Sequence, residues 1–266
     1  MNALEKNIID LGTWLEQPSG CYIRQWEQAM LDKLTVDIFG FNALQIGLPQ
    51  IDALAASRMP HRWLTNSSVP DEKLRDKKRP VVVVHDFAEL PFDAHSIDLV
   101  VLPHVLEFSA EPHQILREVE RVLIPEGRVI VTGFNRASLW GARQAAGRLS
   151  KNYFLPLEGE FISHPRLKDW LKLLNMEVGS SDFGCYAPPF KSEKWLQRYR
   201  FMEKAGQRWW PYLGAVYILQ AVKRVKGMHL IGPAWKQKLV PSAHVLPVAN
   251  KSKEMTQELL SKELNG

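Results

Sequence analysis

Two places in the sequence hold residue types that could do chemistry at a useful spacing. The first is Leu44-Gln45-Ile46-Gly47-Leu48-Pro49-Gln50-Ile51, which follows the first short apolar run. Where a parallel sheet binds a nucleotide-like ligand, the first loop must bring backbone close to it, and glycine permits that approach. Only Gly47 is present. Pro49 and Ile51 stand where a glycine fingerprint has its second and third glycines, and Pro49 lacks the N–H that a phosphate needs. This argues against a pyrophosphate-binding dinucleotide site. About 20 residues on, where an acidic residue would grip a ribose, Thr65 and Asn66 offer only uncharged hydrogen bonds. The second place is His104, at the end of an aliphatic run. An imidazole that titrates near neutral pH can act as a base or an orienter there, or simply cap a helix or pack.

The elements that must position these residues are short. Candidate strands are residues 43–46, 62–65, 81–84, 97–102 and 128–132, with two later ones at 178–186 and 215–222. Val81-Val82-Val83-Val84 and Asp98-Leu99-Val100-Val101-Leu102 are nearly continuous aliphatic runs, as in strands of a parallel sheet covered by helices on both faces. Ile115, Leu116, Val119, Val122 and Leu123 fall on one helical stripe, with Pro112 near its start and Pro125 and Gly127 beyond its end. Strand, helix and strand in that order make a βαβ unit with a right-handed crossover. A further helix is expected at 165–174. Before the sheet, Leu4, Ile8, Leu11 and Leu15 form one helical stripe and Ile23, Trp26, Met30 and Leu34 another, separated by Pro18-Ser19-Gly20. The fold class is therefore α/β, a doubly wound, mainly parallel, seven-stranded sheet with N-terminal helices and a helical insertion before the last strand. Ligand chemistry is expected at the carboxyl ends of its strands.

One stretch resembles a known family. Val84-His85-Asp86-Phe87-Ala88-Glu89-Leu90-Pro91-Phe92 followed by Ile97-Asp98-Leu99-Val100-Val101 is similar to strands three and four of class I S-adenosylmethionine-dependent methyltransferases. His104-Val105-Leu106-Glu107 resembles the family's segment after strand four. Leu116 to Gly127 resembles its next helix and the turn into strand five. The likeness is to the broad type 11 group and extends to about residue 226. It implies S-adenosylmethionine as cofactor, with Asp86 at the adenine amino group and the Phe87 and Ala88 backbone alongside. It also implies Pro103 and His104 near the sulfonium, Gln45, Gly47 and Leu48 along the methionine and ribose end, and Thr65 or Asn66 at the ribose. No metal is implied. Methyl transfer from a sulfonium is an in-line displacement that needs alignment and a dry site, with a base only for an acceptor that must lose a proton. His104 is the candidate for that role. Asp98 is expected to pair with a basic neighbour, and Glu107 and Glu118 to be solvated helix-face charges. Tyr22 and Trp26 belong to an amphipathic helix that packs or lids the site, and Asn135, Ser138 and Trp140 follow strand five.

The domain organisation expected is a helical lid over residues 1–35, a methyltransferase-like domain over 36–228 with a basic helical insertion at 192–212, and a C-terminal extension over 229–266. The chain has 266 residues, with 34 Lys and Arg against 29 Asp and Glu, a net charge of +5. Residues 192–240 hold ten basic and two acidic residues, so that segment carries +8 and the remainder −3. Four of the nine tryptophans lie there too. It is either a solvated face or a contact for nucleic acid or an anionic surface. The two cysteines are far apart and form no Cys-rich metal motif, no apolar run is long enough to span a bilayer, and charges interrupt the N-terminus where a signal peptide would be apolar. These features fit a cytoplasmic protein. Two functions remain: methyl transfer to a small-molecule acceptor, or a catalytically degenerate module on the same fold that binds cofactor, RNA or protein.

Overall fold

A computed structural model describes residues 11–66, 81–84, 87–150, 154–155 and 161–224, with backbone alone for 81–84 and 148–150. Residues 11–14 are helical, and α1 follows at Pro18–Thr35. The strands are β1 (Asn42–Ile46), β2 (His61–Asn66), β3 (Val81–Val84), β4 (Ile97–Pro103), β5 (Leu123–Phe134), β6 (Met176–Gly184) and β7 (Val216–Lys223). Between them lie α2 (Val105–Phe108), α3 (Pro112–Val122), α4 (Leu139–Ser150), α5 (His164–Leu173), α6 (Glu193–Arg198) and α7 (Phe201–Trp209). The sheet has seven strands in the order β3-β2-β1-β4-β5-β7-β6. The first five are parallel, and β7 runs antiparallel to both of its neighbours. The chain winds outward from β1 to β3 and then returns to place β4 on the other side of β1. This reversal sets the carboxyl ends of β1 and β4 side by side, the place where such sheets bind ligands.

The central strands owe their position to their composition. Leu99, Val100, Val101 and Leu102 are all buried, as are Leu44 and Ile46 beside them. Parallel strands covered on both faces must read this way. The entry of β1 is pinned by Asp98, whose carboxylate accepts the backbone N–H groups of Phe41 (3.1 Å) and Asn42 (2.9 Å). Asp98 thus binds backbone, where a basic partner was expected, because the start of β1 presents two N–H groups within its reach. Helix α3 begins with Pro112 in its first turn and buries Ile115, Leu116, Val119 and Val122 on one stripe. On its other side Glu118 pairs with Arg121 and accepts the Leu90 N–H, so it is a loop tie and not a free surface charge.

Several boundaries differ from the sequence expectation. Pro18 sits in the first turn of α1, so the 18–20 stretch starts the helix, as proline's fixed φ and missing N–H allow. The buried stripe of α1 is Ile23, Glu27, Leu31 and Thr35, with Trp26, Met30 and Leu34 packed partly buried beside it. The expected basic helical insertion at 192–212 holds two helices, α6 and α7, parted at Tyr199 and Arg200, with Tyr199 stacked against Phe190 and Trp195. Helix α4 was not foreseen; Ser138 starts it by accepting the Gly141 N–H at 3.0 Å. Finally, residues 47–60 cross from β1 to β2 through turns and carry no helix.

Candidate functional site

At the carboxyl edge, Gly47 and Leu48 both adopt positive φ, +71° and +46°. Only glycine takes the first without strain, and a Cβ there would also meet Val105 Cγ2 at 3.0 Å and the Phe87 ring at 3.4 Å. Gln45 is buried beneath this loop. Its amide nitrogen donates to the carbonyls of Gly47, Leu48 and Ile51, and its oxygen accepts the Ala53 N–H at 3.0 Å. The Gly47 N–H donates to the Thr65 carbonyl at 2.7 Å, and the Thr65 hydroxyl reaches the Gln45 carbonyl at 3.4 Å. These bonds hold the loop in place without the crossover helix that would otherwise do so.

The strongest electrostatic feature stands one strand over. His104, just past β4, has positive φ (54°), and its imidazole is buried between two carboxylates. Nε2 lies 2.8 Å from Glu27 of α1, and Nδ1 lies 2.9 Å from Glu107 of α2. The second oxygen of Glu107 accepts the Phe134 N–H at 2.6 Å. Burial alone would favour neutral imidazole. Glu27 and Glu107 override it and push the His104 pKa up to about 10. Burial raises the Glu107 carboxyl, opposed by its bonds to His104 and Phe134. With His104 protonated, both ring N–H groups donate and neither nitrogen can accept a proton. The Glu27 Oε2 oxygen is buried without a hydrogen-bond partner.

Helix α1 is tied down at four points, one of them the Ser19 hydroxyl, which donates to the Phe190 carbonyl at 2.9 Å. Besides Glu27, the Gln28 amide exchanges bonds with the backbone of Asp52 in the β1–β2 crossover (2.7 and 3.0 Å). At the far side Tyr22 donates to Glu203 of α7 and accepts the Ala187 N–H at 3.2 Å. Tyr22 also stacks on Trp140, whose indole N–H donates to the Ala187 carbonyl at 2.7 Å. Burial, with Cys185 and Glu203 nearby, pushes the Tyr22 hydroxyl well above its ordinary range. A cavity of about 380 Å³ lies between α1 and α6, lined by residues that include Cys21, Tyr22, Leu196 and Gln197. Another of about 330 Å³ lies between α1 and Gln50. Neither is lined by Gly47, Thr65 or His104. Through Glu27, α1 covers His104 at the end of β4.

Known proteins show the same architecture. A family model described as a methyltransferase domain matches residues 64–131. The uncharacterised protein YafS of Escherichia coli (strain K12) is 32% identical over 174 residues, which cover 65% of this chain and 68% of YafS. The chain belongs to the class I S-adenosylmethionine-dependent methyltransferase family. Solved structures share its fold. One is the complex of the Haloferax volcanii Trm112 methyltransferase activator with a methyltransferase (TM-score 0.55, 15% identity, 84% of this chain and 100% of that one). Another is a Thermotoga maritima S-adenosylmethionine-dependent methyltransferase described as a possible histamine N-methyltransferase (TM-score 0.55, 15% identity, 76% of this chain and 92% of that one).

In this methyltransferase the residues expected at the cofactor fall into distinct groups. Gly47, Leu48, Thr65, Asn66, Pro103 and His104 gather at the carboxyl edge of β1, β2 and β4. Gln45 and Thr65 are there too, but the amide and hydroxyl serve the loop and the strand beneath it. Phe87 is buried against Gly47, and Ala88 follows it half-buried. Asp86 lies outside the described residues. Asn135 binds the carbonyls of Tyr212 and Gly214, and Ser138 caps α4, so both act on architecture. Glu107, expected on the surface, is buried because its carboxylate turns in to His104 and the Phe134 N–H. Glu27 carried a readable sign: it falls four residues from both Ile23 and Leu31, a carboxylate inside an apolar stripe. The site suits the family's cofactor in charge. Glu27 and Glu107 flank one imidazole, and the Glu27 oxygen left without a partner is an acceptor for a cationic donor.

Proposed function

We propose that this methyltransferase binds S-adenosylmethionine at the carboxyl edge of β1 and β4, under α1, and transfers its methyl to a small-molecule acceptor. The observation that carries the reading is the buried Glu27–His104–Glu107 chain beside the left-handed Gly47–Leu48 turn. When bound, the cofactor supplies an electrophilic methyl on a sulfonium. The protein's residues do the rest. Glu27 offers a buried carboxylate to a cation, Gly47 and Leu48 bring backbone close, and Thr65, Asn66, Phe87, Ala88 and Pro103 border the site. Asp86 takes the adenine contact that the family resemblance implies. Helix α1 serves as the lid, holding water away so that charge interactions keep their strength. His104 acts as a fixed cation that positions Glu27 and Glu107. Held protonated, it cannot deprotonate an acceptor, so the acceptor presents a nucleophile that is already free, such as an amine or a thiolate. A cytoplasmic setting, where both cysteines stay reduced, belongs to the same proposal.

The second reading, a module that has lost turnover, draws support from the same loop. Gln45 is spent on its own backbone, and Phe87 and Val105 close over Gly47. Calorimetric titration with S-adenosylmethionine and S-adenosylhomocysteine separates the possibilities. Binding of both, weakened by Glu27→Gln and by Asp86→Ala, is the expected result. No heat at millimolar ligand would overturn the cofactor site. Binding without methyl transfer to any amine or thiol acceptor would favour the module.

A further inference from the structure

We propose that the successive helices α6 and α7 and the turn after them dock on the surface of an anionic lipid bilayer. On α7 the inner side is set by Glu203, which turns in to Tyr22 and to the Tyr186 N–H (3.0 Å), and by Gly206, where a Cβ would strike the Tyr186 ring. The opposite stripe is Phe201, Lys204 and Arg208, at helical spacings of three and four, and it faces solvent. Phe201 is 65% exposed, Trp209 69% and Tyr212 70%, with Trp210, Leu213 and Trp195 each close to half exposed. The rings are contiguous in two groups: Trp195, Tyr199 and Phe201 follow one another at 6.1–6.3 Å, and Trp209 meets Trp210 at 5.9 Å. Large apolar side chains left bare together mark an interaction surface.

The charges identify the partner. Lys194, Arg198, Arg200, Lys204 and Arg208 are interleaved with the aromatics and exposed. Glu203 is turned inward, which leaves Glu193 as the exposed acid of the two helices. Tryptophan and tyrosine settle at the headgroup level of a membrane, and each basic residue near an anionic leaflet adds to the attraction. A second copy of the chain, packed by a two-fold axis, would set cation against cation. Nucleic acid would satisfy the cations and stack the rings, but it offers no apolar phase for Leu213. An anionic bilayer satisfies all three. No described helix is long and apolar enough to cross a membrane, so the contact is interfacial.

The test is co-sedimentation of the full chain with vesicles of phosphatidylcholine alone and of equal parts phosphatidylcholine and phosphatidylglycerol. Binding is expected with phosphatidylglycerol and little without it, and it should weaken as salt rises. Lys204→Gln with Arg208→Gln should lower affinity roughly fivefold for each charge removed, the equivalent of about 1 kcal/mol each. Trp209→Ser with Trp210→Ser should lower it about tenfold or more by withdrawing two indoles. Both double variants should unfold at the native temperature. In the unaltered protein, brominated phosphatidylglycerol should quench tryptophan fluorescence, and the Trp209/Trp210 variant should lose part of that quenching. Failure to sediment with anionic vesicles would overturn the proposal. So would equal binding by both variants, a solution dimer that buries Trp209 and Trp210, or binding of single-stranded RNA through these residues without vesicle binding.

Discussion

His104 shows how far neighbours can move one side chain's chemistry. A histidine with ordinary solvation would be mostly neutral at neutral pH and available as a base. Here two buried carboxylates hold its proton up to a pKa of about 10, so it is a structural cation at neutral pH. The linkage sign follows. The folded pKa lies above the unfolded value of about 6.5, so this contribution to stability is complete below that value and is lost as pH rises through about 10. Glu107 is also shifted upward by burial, and it acts with the same sign from its own unfolded value upward. Urea midpoints should therefore fall as pH rises from 7 to 10, and His104→Gln should flatten that slope. The same variant should cost about 3–5 kcal/mol at neutral pH, because it leaves two carboxylates buried without their cation. An unchanged slope would mean that His104 is not the group that holds the proton.

The β1–β2 crossover takes its shape from a few local choices. Gln45 binds three carbonyls and one N–H, while Gly47 supplies a left-handed turn and the room for Val105 and Phe87. Gly47→Ala should cost about 1–3 kcal/mol through the positive φ, and more from the 3.0 Å approach to Val105. Adding Val105→Ala should relieve the steric part and leave the backbone part, which chemical denaturation of the single and double variants can separate. A Gly47→Ala protein as stable as the parent would show that the loop can rearrange. Elements like β4 were legible in the sequence because a strand buried on both faces must be aliphatic throughout. The crossover was less so, since its bonds run from a side chain to backbone and leave no periodicity. Helix α1 shows the same limit. Its apolar residues fit two adjacent stripes, and only packing decides that the one bearing Glu27 faces the sheet. At the break between α6 and α7, Tyr199 stacks on Phe190, which lies outside both helices and gives no local signal.

For the molecule as a whole, the reversal between β1 and β4 and the four ties of α1 make one mechanical prediction. Central β4 is paired on both sides and buried, so its amides should exchange slowest. Helix α1 lies outside the sheet, held by one apolar face and the polar contacts of Ser19, Tyr22, Glu27 and Gln28, and should open more readily than β4. The Glu27 oxygen left without a partner is buried, so a ligand that reaches it must displace α1 on entry and leave it more tightly held. Saturating S-adenosylhomocysteine at about a hundred times its dissociation constant should add roughly 2.7 kcal/mol, and a rise of about 5–10 °C in unfolding temperature for a domain of this size. Hydrogen exchange should slow in α1, in the Gly47–Leu48 turn and at the end of β4. The exposed amides of α6 and α7 should be unaffected unless anionic vesicles are added. Protection that appeared at α6 and α7 with cofactor alone would place the ligand in the α1–α6 cavity instead. That cavity would then be the binding site, and the carboxylate–imidazolium chain only a support for the lid.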